Sequence, residues 1–387
     1  RKGYPWDASS IDGNLNVDIQ NADLYLMNPR GILFGPNASL NTSGSLIATS
    51  ADHLQLTDGG RFDALLPTAD VLTTAPPSAF GFTAPHPAPI TLQGSKLEVS
   101  ADSKILMIGG DLTINGDNDA SGDAQLAAAG GQIGLIGVGS AGDALFAADG
   151  MLIDVTGFTT LGDVKLQNTA VIDASGLGGG EVTVQGAGFT IDNATIQANT
   201  TGAEPGQGVT LALSGHLLMD NNGLIESSTT GDGQAGRIDI EAASIDLQRG
   251  AQIRSVTEAQ GSGASITLTA QTLTANDQNT GDRTGVRSIA YENASGRSAD
   301  VSVRAGTVNL TGTEISTTTE GTGAGGNLIV EAGSVQTQGS EVTRDLRRVA
   351  GFAAVVGSKA TGQGGDVDLS AAEVAILNGG EVSAATF

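Results

Sequence analysis

The chain contains no cysteine. No disulfide, zinc ribbon or thiol nucleophile can form. A secreted protein without disulfides needs another source of stability, and a long hydrogen-bonded ladder of stacked repeats is one. Long apolar runs are also missing. The longest span about four or five residues, against roughly 18 for a membrane-spanning helix. Basic residues are scarce: 18 Lys and Arg stand against 42 Asp and Glu, a formal net charge of −24. Binding to nucleic acid needs Lys and Arg to displace counterions from phosphate, so this balance argues against it. It argues equally against docking on an anionic membrane. Aromatics are few, with one Trp, three Tyr and nine Phe in 387 residues, so the core must be mostly aliphatic. The chain opens Arg1-Lys2-Gly3-Tyr4 without an initiator Met or a signal-peptide pattern, as expected of a processed form or of a sequence whose N-terminus is missing.

What is abundant is glycine, in a repeating pattern. The 57 glycines and 10 prolines are about a sixth of the chain, below the level at which composition alone signals disorder. After each Gly-rich turn in the second half comes an apolar pair at i and i+2. These pairs are Val182/Val184, Val209/Leu211, Ile238/Ile240, Ile266/Leu268, Val301/Val303, Leu328/Val330 and Val367/Leu369. Their first members are 27, 29, 28, 35, 27 and 39 residues apart. A second apolar position follows: Ile191, Leu217, Ile245, Leu273, Val308, Val335, Val374. Most units have a third: Ile196, Leu224, Ile253, Ile315, Val342, Val382, with Ile289 delayed by a loop in the Ile266 unit. The period of two means strands, and β-branched residues suit the pleat. Three short strands per unit close one coil of a solenoid. Two insertions, Asn276 to Arg287 and Thr343 to Gly357, should leave the coils as loops, which in solenoids often bind.

The first half shares this grammar less regularly. Leu15, Val17, Ile19, Leu24, Leu26, Ile32 and Phe34 alternate. Pro67, Pro76, Pro77, Pro85, Pro87 and Pro89 then cluster, and proline cannot donate to a central ladder. That stretch is expected to leave the solenoid and lie against its side. The alternation resumes at Ile90-Thr91-Leu92, Leu97-Glu98-Val99 and Leu112-Thr113-Ile114.

One stretch is specific. Ser10-Ile11-Asp12-Gly13-Asn14-Leu15, followed by Asn21 to Leu40 with Asn28-Pro29-Arg30-Gly31-Ile32 at its centre, resembles the filamentous-haemagglutinin N-terminal domain of two-partner-secretion exoproteins. Gly44-Ser45-Leu46, Ala48-Thr49-Ser50-Ala51-Asp52, Phe80-Gly81-Phe82, Gly109-Gly110-Asp111-Leu112 and Gly130-Gly131-Gln132-Ile133 extend the likeness to about residues 8–145. The resemblance implies a right-handed parallel β-helix exported through an outer-membrane β-barrel transporter. It implies that Asn28, Pro29, Arg30, Gly31 and Ile32 take part in transporter recognition, with Arg30 where the family motif has Asn. The second family motif, Asn-Pro-Asn-Leu, is not found. The family domain begins upstream of the point matching Arg1, so its N-terminal cap is expected to lie outside this chain. From the residues alone, Asn-Pro opens a turn and Gly closes it. A tight corner and a transporter contact are compatible readings.

Little other chemistry is visible. His53, His86 and His216 are far apart in sequence and lack metal-ligand spacing. Asp117, Asp119, Ser121 and Asp123 space oxygens like a calcium loop, but the twelfth position is Ala128, where the bidentate Glu belongs. A solvated acidic loop is the alternative. Gly231-x-Gly233-x-x-Gly236 and Gly321-x-Gly323-x-x-Gly326 mimic a dinucleotide fingerprint, yet each leads into a strand with no helix terminus for phosphate. No cofactor is expected. Arg344, Arg347 and Arg348 are the densest basic cluster, either paired locally with Glu341 or Asp345 or meeting an acidic face of a second copy in self-association.

The sequence therefore predicts an all-β protein, a right-handed parallel β-helix (solenoid) with a Pro-rich extra-helical excursion. Its expected domains are a secretion domain over 1–177 and a repeat array of about 28 residues per coil over 178–387, continuous with it. The expected function is that of a secreted, extracellular or bacterial cell-surface adhesin or structural protein, not an enzyme and not membrane-spanning, able to assemble end to end into a filament. Its expected partners are the transporter, a host or surface receptor or glycan, and other copies of itself. The alternative is a β-helix polysaccharide-degrading lyase or hydrolase, which needs converging acidic and basic side chains on one face.

Overall fold

The computed structural model describes residues 7–64, 73–116, 124–146, 153–278, 283–340 and 350–386. Every regular element among the described residues is a β-strand, and none of them forms a helix long and apolar enough to cross a membrane. The chain divides into two compact units. One holds Arg1–Ala128, Gln132–Ala170 and Val184–Phe189; the other holds Ala129–Gly131, Val171–Thr183 and Thr190–Phe387.

The first unit is a three-faced parallel β-helix. Its first face stacks Ser9–Ile11, Ile32–Phe34, Ile90–Gln93, Leu112–Asn115 and Val164–Gln167. The second stacks Asn14–Asn16, Ser39–Asn41, Lys96–Val99 and Gln125–Ala128. The third stacks Leu24–Met27, Leu46–Thr49, Lys104–Gly109 and Gln132–Gly137. Alternation places like side chains above one another inside. Ile32, Ile90, Leu112 and Val164 form one buried column, and Phe34, Leu92, Ile114 and Leu166 the next. Each rung removes aliphatic surface from water and extends the main-chain ladder.

The third face is buried on both sides. Leu46, Ile105 and Ile133 point into the coil, while Ile47, Leu106, Ile108 and Ile136 point outward under a second layer. That layer is an antiparallel five-stranded sheet in the order Ile153–Asp154, Gly142–Phe146, Pro77–Phe82, His53–Leu56, Arg61–Asp63. Its inner side chains, Phe80, Phe82, Ala144 and Ile153, pack on the outward aliphatics. Phe80 meets Phe146 at 5.3 Å between ring centres, and Phe82 meets Phe158 at 5.8 Å. Four of the nine phenylalanines thus serve this seam.

The Pro-rich excursion is present, but it is half of a composite. Chain that leaves the third face after Thr49 and returns at Ile90 supplies three strands. Chain that leaves after Gly137 and returns at Val164 supplies the other two. Both depart at the same corner, so their strands meet: Gly81 pairs with Asp143 and Phe80 with Ala144. The second excursion contains no proline.

The second unit is also a parallel β-helix. The apolar pairs from Val209/Leu211 to Val367/Leu369 lie in register rung on rung. So do Leu217, Ile245, Leu273, Val308, Val335 and Val374. The expected three strands per coil are two in most rungs. From Arg237–Gln248 onward the first two fuse into strands of 11 or 12 residues. A break in pairing at Ala243, Gln271, Gly306, Gly333 and Ala372 marks where the separate strands would have joined.

The third apolar column corrects three expectations. Ile196, Ile225, Ile253, Val286, Ile315, Phe352 and Val382 are in register. Ile225 takes the inward place expected of Leu224, and Val286 that of Ile289. In a strand a one-residue slip changes the face. Phe352 stands where Val342 was expected; Val342 lies outside the described residues.

A polar ladder runs along one corner of this unit. Asn193, Asn221, Arg249, Gln278 and Asn378 have φ between 38° and 51°, a region asparagine tolerates better than most residues. Asn221 Nδ2 donates to Asp192 Oδ1 at 2.7 Å, Arg249 Nε to Asn221 Oδ1 at 3.0 Å, and Arg249 Nη1 to Gln278 Oε1 at 3.2 Å. At another corner inward threonines hold the Gly-rich turns. Thr229 Oγ1 donates to Gly233 O and Thr319 Oγ1 to Gly323 O, both at 2.7 Å.

Candidate functional site

The corner of the first unit between its third and first faces holds Asn28 to Ile32. In the first coil it is a tight turn. Asn28 accepts from Gly31 N at 2.9 Å through its main-chain oxygen, and Asn28 Oδ1 accepts from Arg30 N at 2.9 Å. Its side-chain amide donates to Ser9 Oγ at 2.9 Å and to Asp7 O at 3.2 Å. Asn at the first position, Pro at the second and Gly at the fourth suit a hydrogen-bonded reverse turn. Asn28 is thereby committed to the fold through both ends of its amide. Gly31 has φ +99°, and Ile32 is buried as the first inward residue of the next strand. Arg30 is exposed.

The corner continues along the stack. Ile32 N donates to Pro89 O at 3.2 Å, and Gly110 N to Ala88 O at 2.9 Å. Next to it is a cavity of about 310 Å³ lined by His86, Pro87, Pro89, Asp111, Thr160 and Leu161, among others. Glycines let the strands approach here, because a Cβ at Gly110 would lie 2.2 Å from Pro87 O.

The neighbouring coils explain why the Ser10 to Leu15 and Ile32 to Leu40 stretches occur together. Asp12 Oδ1 accepts from Asn37 N at 2.8 Å, and Asp12 Oδ2 from Asn37 Nδ2 at 3.2 Å. Their shared pattern is the lock between two stacked coils.

The structure brings Asn28, Pro29, Arg30, Gly31 and Ile32 together in one turn. Arg344, Arg347 and Arg348 lie outside the described residues, as do Asp117, Asp119, Ser121 and Asp123. Among the described residues no three His, Asp or Glu side chains are grouped to hold a metal ion. His216 is exposed at a strand start, and His86 lines the corner cavity. The two dinucleotide-like glycine runs are turns stacked backbone on backbone: Gly233 N donates to Gly202 O at 2.8 Å, and Gly261 N to Gly231 O at 3.0 Å.

Sequence reasoning weighed His53 only as a metal ligand and did not place it in a buried charged row. It is 6% exposed, in the excursion sheet, near Asp52, Asp63, Asp143 and Arg61. Burial, the largest effect, and the Arg61 charge hold its imidazole below the ordinary value, against the opposing pull of Asp143, Asp63 and Asp52. The available signal was Asp52-His53 alternating into Leu54 and Leu56, a half-buried strand that precedes the proline cluster Pro67 to Pro89 to which the departure from the solenoid was assigned.

The parallel β-helix of the first unit, with its tight Asn-Pro corner, defines the class: a β-solenoid. Residues 6–184 match the family model of the TPS secretion domain. The chain carries the N-terminal secretion domain of a two-partner-secretion exoprotein. Such exoproteins are secreted, and the domain implies an outer-membrane transporter as partner. Comparison with curated proteins and with solved structures found no match.

Proposed function

We propose that the transporter reads the corner at Asn28 to Ile32, and that the exported protein serves at the cell surface as an adhesin or structural fibre. The observation that carries the first part is the division of labour in the turn. Asn28 and Gly31 are spent on geometry, while Arg30 is presented outward beside Pro29. A cation held by a rigid turn on a chain of net charge −24 is a local contrast that a partner's acidic or polar groups can recognise. The adhesive reading rests on what the two-partner route exports, and its ligand would be a surface receptor or glycan. Self-association belongs to the same reading.

The test is export of an Arg30→Glu variant from cells that carry the transporter. Arg30 gives the turn its main-chain N–H, which the variant keeps, so the circular-dichroism spectrum should be unchanged. Export should fall several-fold. Equal export of variant and parent would remove Arg30 from the recognition surface.

A further inference from the structure

One row of the excursion sheet is chemically unusual. Asp63 pairs with His53, His53 with Gly81, and Gly81 with Asp143. Four strands thus place a carboxylate on each side of a single imidazole. Gly81 makes room for the ring, since a Cβ there would lie 2.0 Å from His53 Cε1.

The ring's hydrogen bonding defines its protonation. Gln55 Nε2 lies 3.3 Å from His53 Nε2 and 3.4 Å from Asp143 Oδ1. A carboxylate only accepts, so Asp143 turns the amide nitrogen of Gln55 toward itself and toward the ring. His53 Nε2 is then the unprotonated, accepting nitrogen, and the ring proton sits on Nδ1. That atom is buried with no hydrogen-bond partner.

A second proton would set a donor at Nε2 against the Gln55 donor. The surrounding carboxylates are already engaged. Asp63 holds Arg61 at 2.6 and 2.9 Å, and Asp52 accepts from Thr83 N and Oγ1 at 2.6 and 2.7 Å. Asp143 takes Gln55. In these contacts neither ring nitrogen reaches a carboxylate, and a buried cation left unpaired is costly.

We propose that His53 is an acid-operated latch on the excursion sheet: protonating it parts the strands His53–Leu56, Pro77–Phe82 and Gly142–Phe146 and uncovers the apolar outer face at Ile47, Leu106 and Ile108. Burial, with Arg61 adding to it, holds the closed-state pKa below the ordinary 6.5, and Asp143, Asp63 and Asp52 oppose this. The open state therefore binds the proton more readily. The latch is fully closed above the ordinary value and loses its hold as pH falls through the lower, closed-state value.

Hydrogen exchange of residues 77–82 in the full chain, at about pH 7.5 and about pH 5, tests this after correction for intrinsic rates. An apolar fluorescent dye reports the uncovered face in parallel. The expected result is several-fold faster exchange and dye binding at the lower pH in the parent, and neither change in His53→Phe. His53→Gln gives the same readout if the Phe variant does not fold. Gly81→Ala should open the sheet already at about pH 7.5 by displacing the ring, and His53→Ala combined with it should restore closure. Identical exchange at both pH values in the parent, or an undiminished acid response in His53→Phe and His53→Gln, would overturn the latch.

Discussion

Gly31 lies against the carbonyl of Pro89: a Cβ at position 31 would sit 2.6 Å from that oxygen. Because Ile32 N also donates to Pro89 O, this close approach fixes where the excursion returns to the stack. Gly31→Ala adds both a steric clash and a left-handed backbone, with φ +99°. The expected loss is about 2–3 kcal/mol, read as a lower urea midpoint.

Asn28→Ala removes two side-chain donations and one acceptance at once. The expected loss is about 1–3 kcal/mol, because the contacts are only partly shielded from water. Asn28→Asp keeps the acceptor for Arg30 N and should fall between the parent and the Ala variant in the same unfolding measurement.

The buried hydroxyls of the second unit divide into two kinds. Thr229 Oγ1 donates to Gly233 O at 2.7 Å, whereas Ser288 Oγ is fully buried without a protein partner. Thr229→Val should cost about 1 kcal/mol or more, and Ser288→Ala should be neutral or stabilising. Thermal unfolding of the two variants side by side checks the contrast.

Two ion pairs differ in burial. Arg287 Nε lies 2.7 Å from Glu314 Oε1 with both side chains under one fifth exposed, while Arg304 and Glu331 meet at 3.0 Å with both more than half exposed. Glu314→Gln strands a shielded guanidinium and should cost about 2 kcal/mol. Glu331→Gln should change stability by less than about 0.5 kcal/mol. Denaturant titration of each variant supplies the comparison.

Neighbouring residues on one strand test the register. Ile225 is fully buried and stacks between Ile196 and Ile253, while Leu224 is only partly covered. Ile225→Ala should cost about 2–4 kcal/mol, and Leu224→Ala less than about 1 kcal/mol. Reversed sensitivities in thermal unfolding would place the other residue inside.

Most of the coil pattern was legible because period-two alternation states which face a strand buries. The first and second apolar columns, Val209 to Val367 and Leu217 to Val374, could be read from spacing alone. The third could not, since Leu224 and Ile225 are adjacent and equally apolar, and only the ladder decides between them. The second excursion was hidden for a different reason. Prolines marked the first, but Gly142–Phe146 has no such mark. Its presence was written in Lys104–Gly109 and Gln132–Gly137, whose unbroken apolar runs signify strands covered on both faces. The Asn28 turn was readable from its residue types, whereas the His53 row depends on four strands from two excursions and has no local signature.

The most direct measurement concerns export itself. The chain, placed behind a signal peptide for inner-membrane passage, is expressed with and without a two-partner outer-membrane β-barrel transporter, and its amount in the medium is compared. Release only when the transporter is present is the predicted result. Equal release in both strains, or retention in the periplasm despite a working transporter, would contradict it.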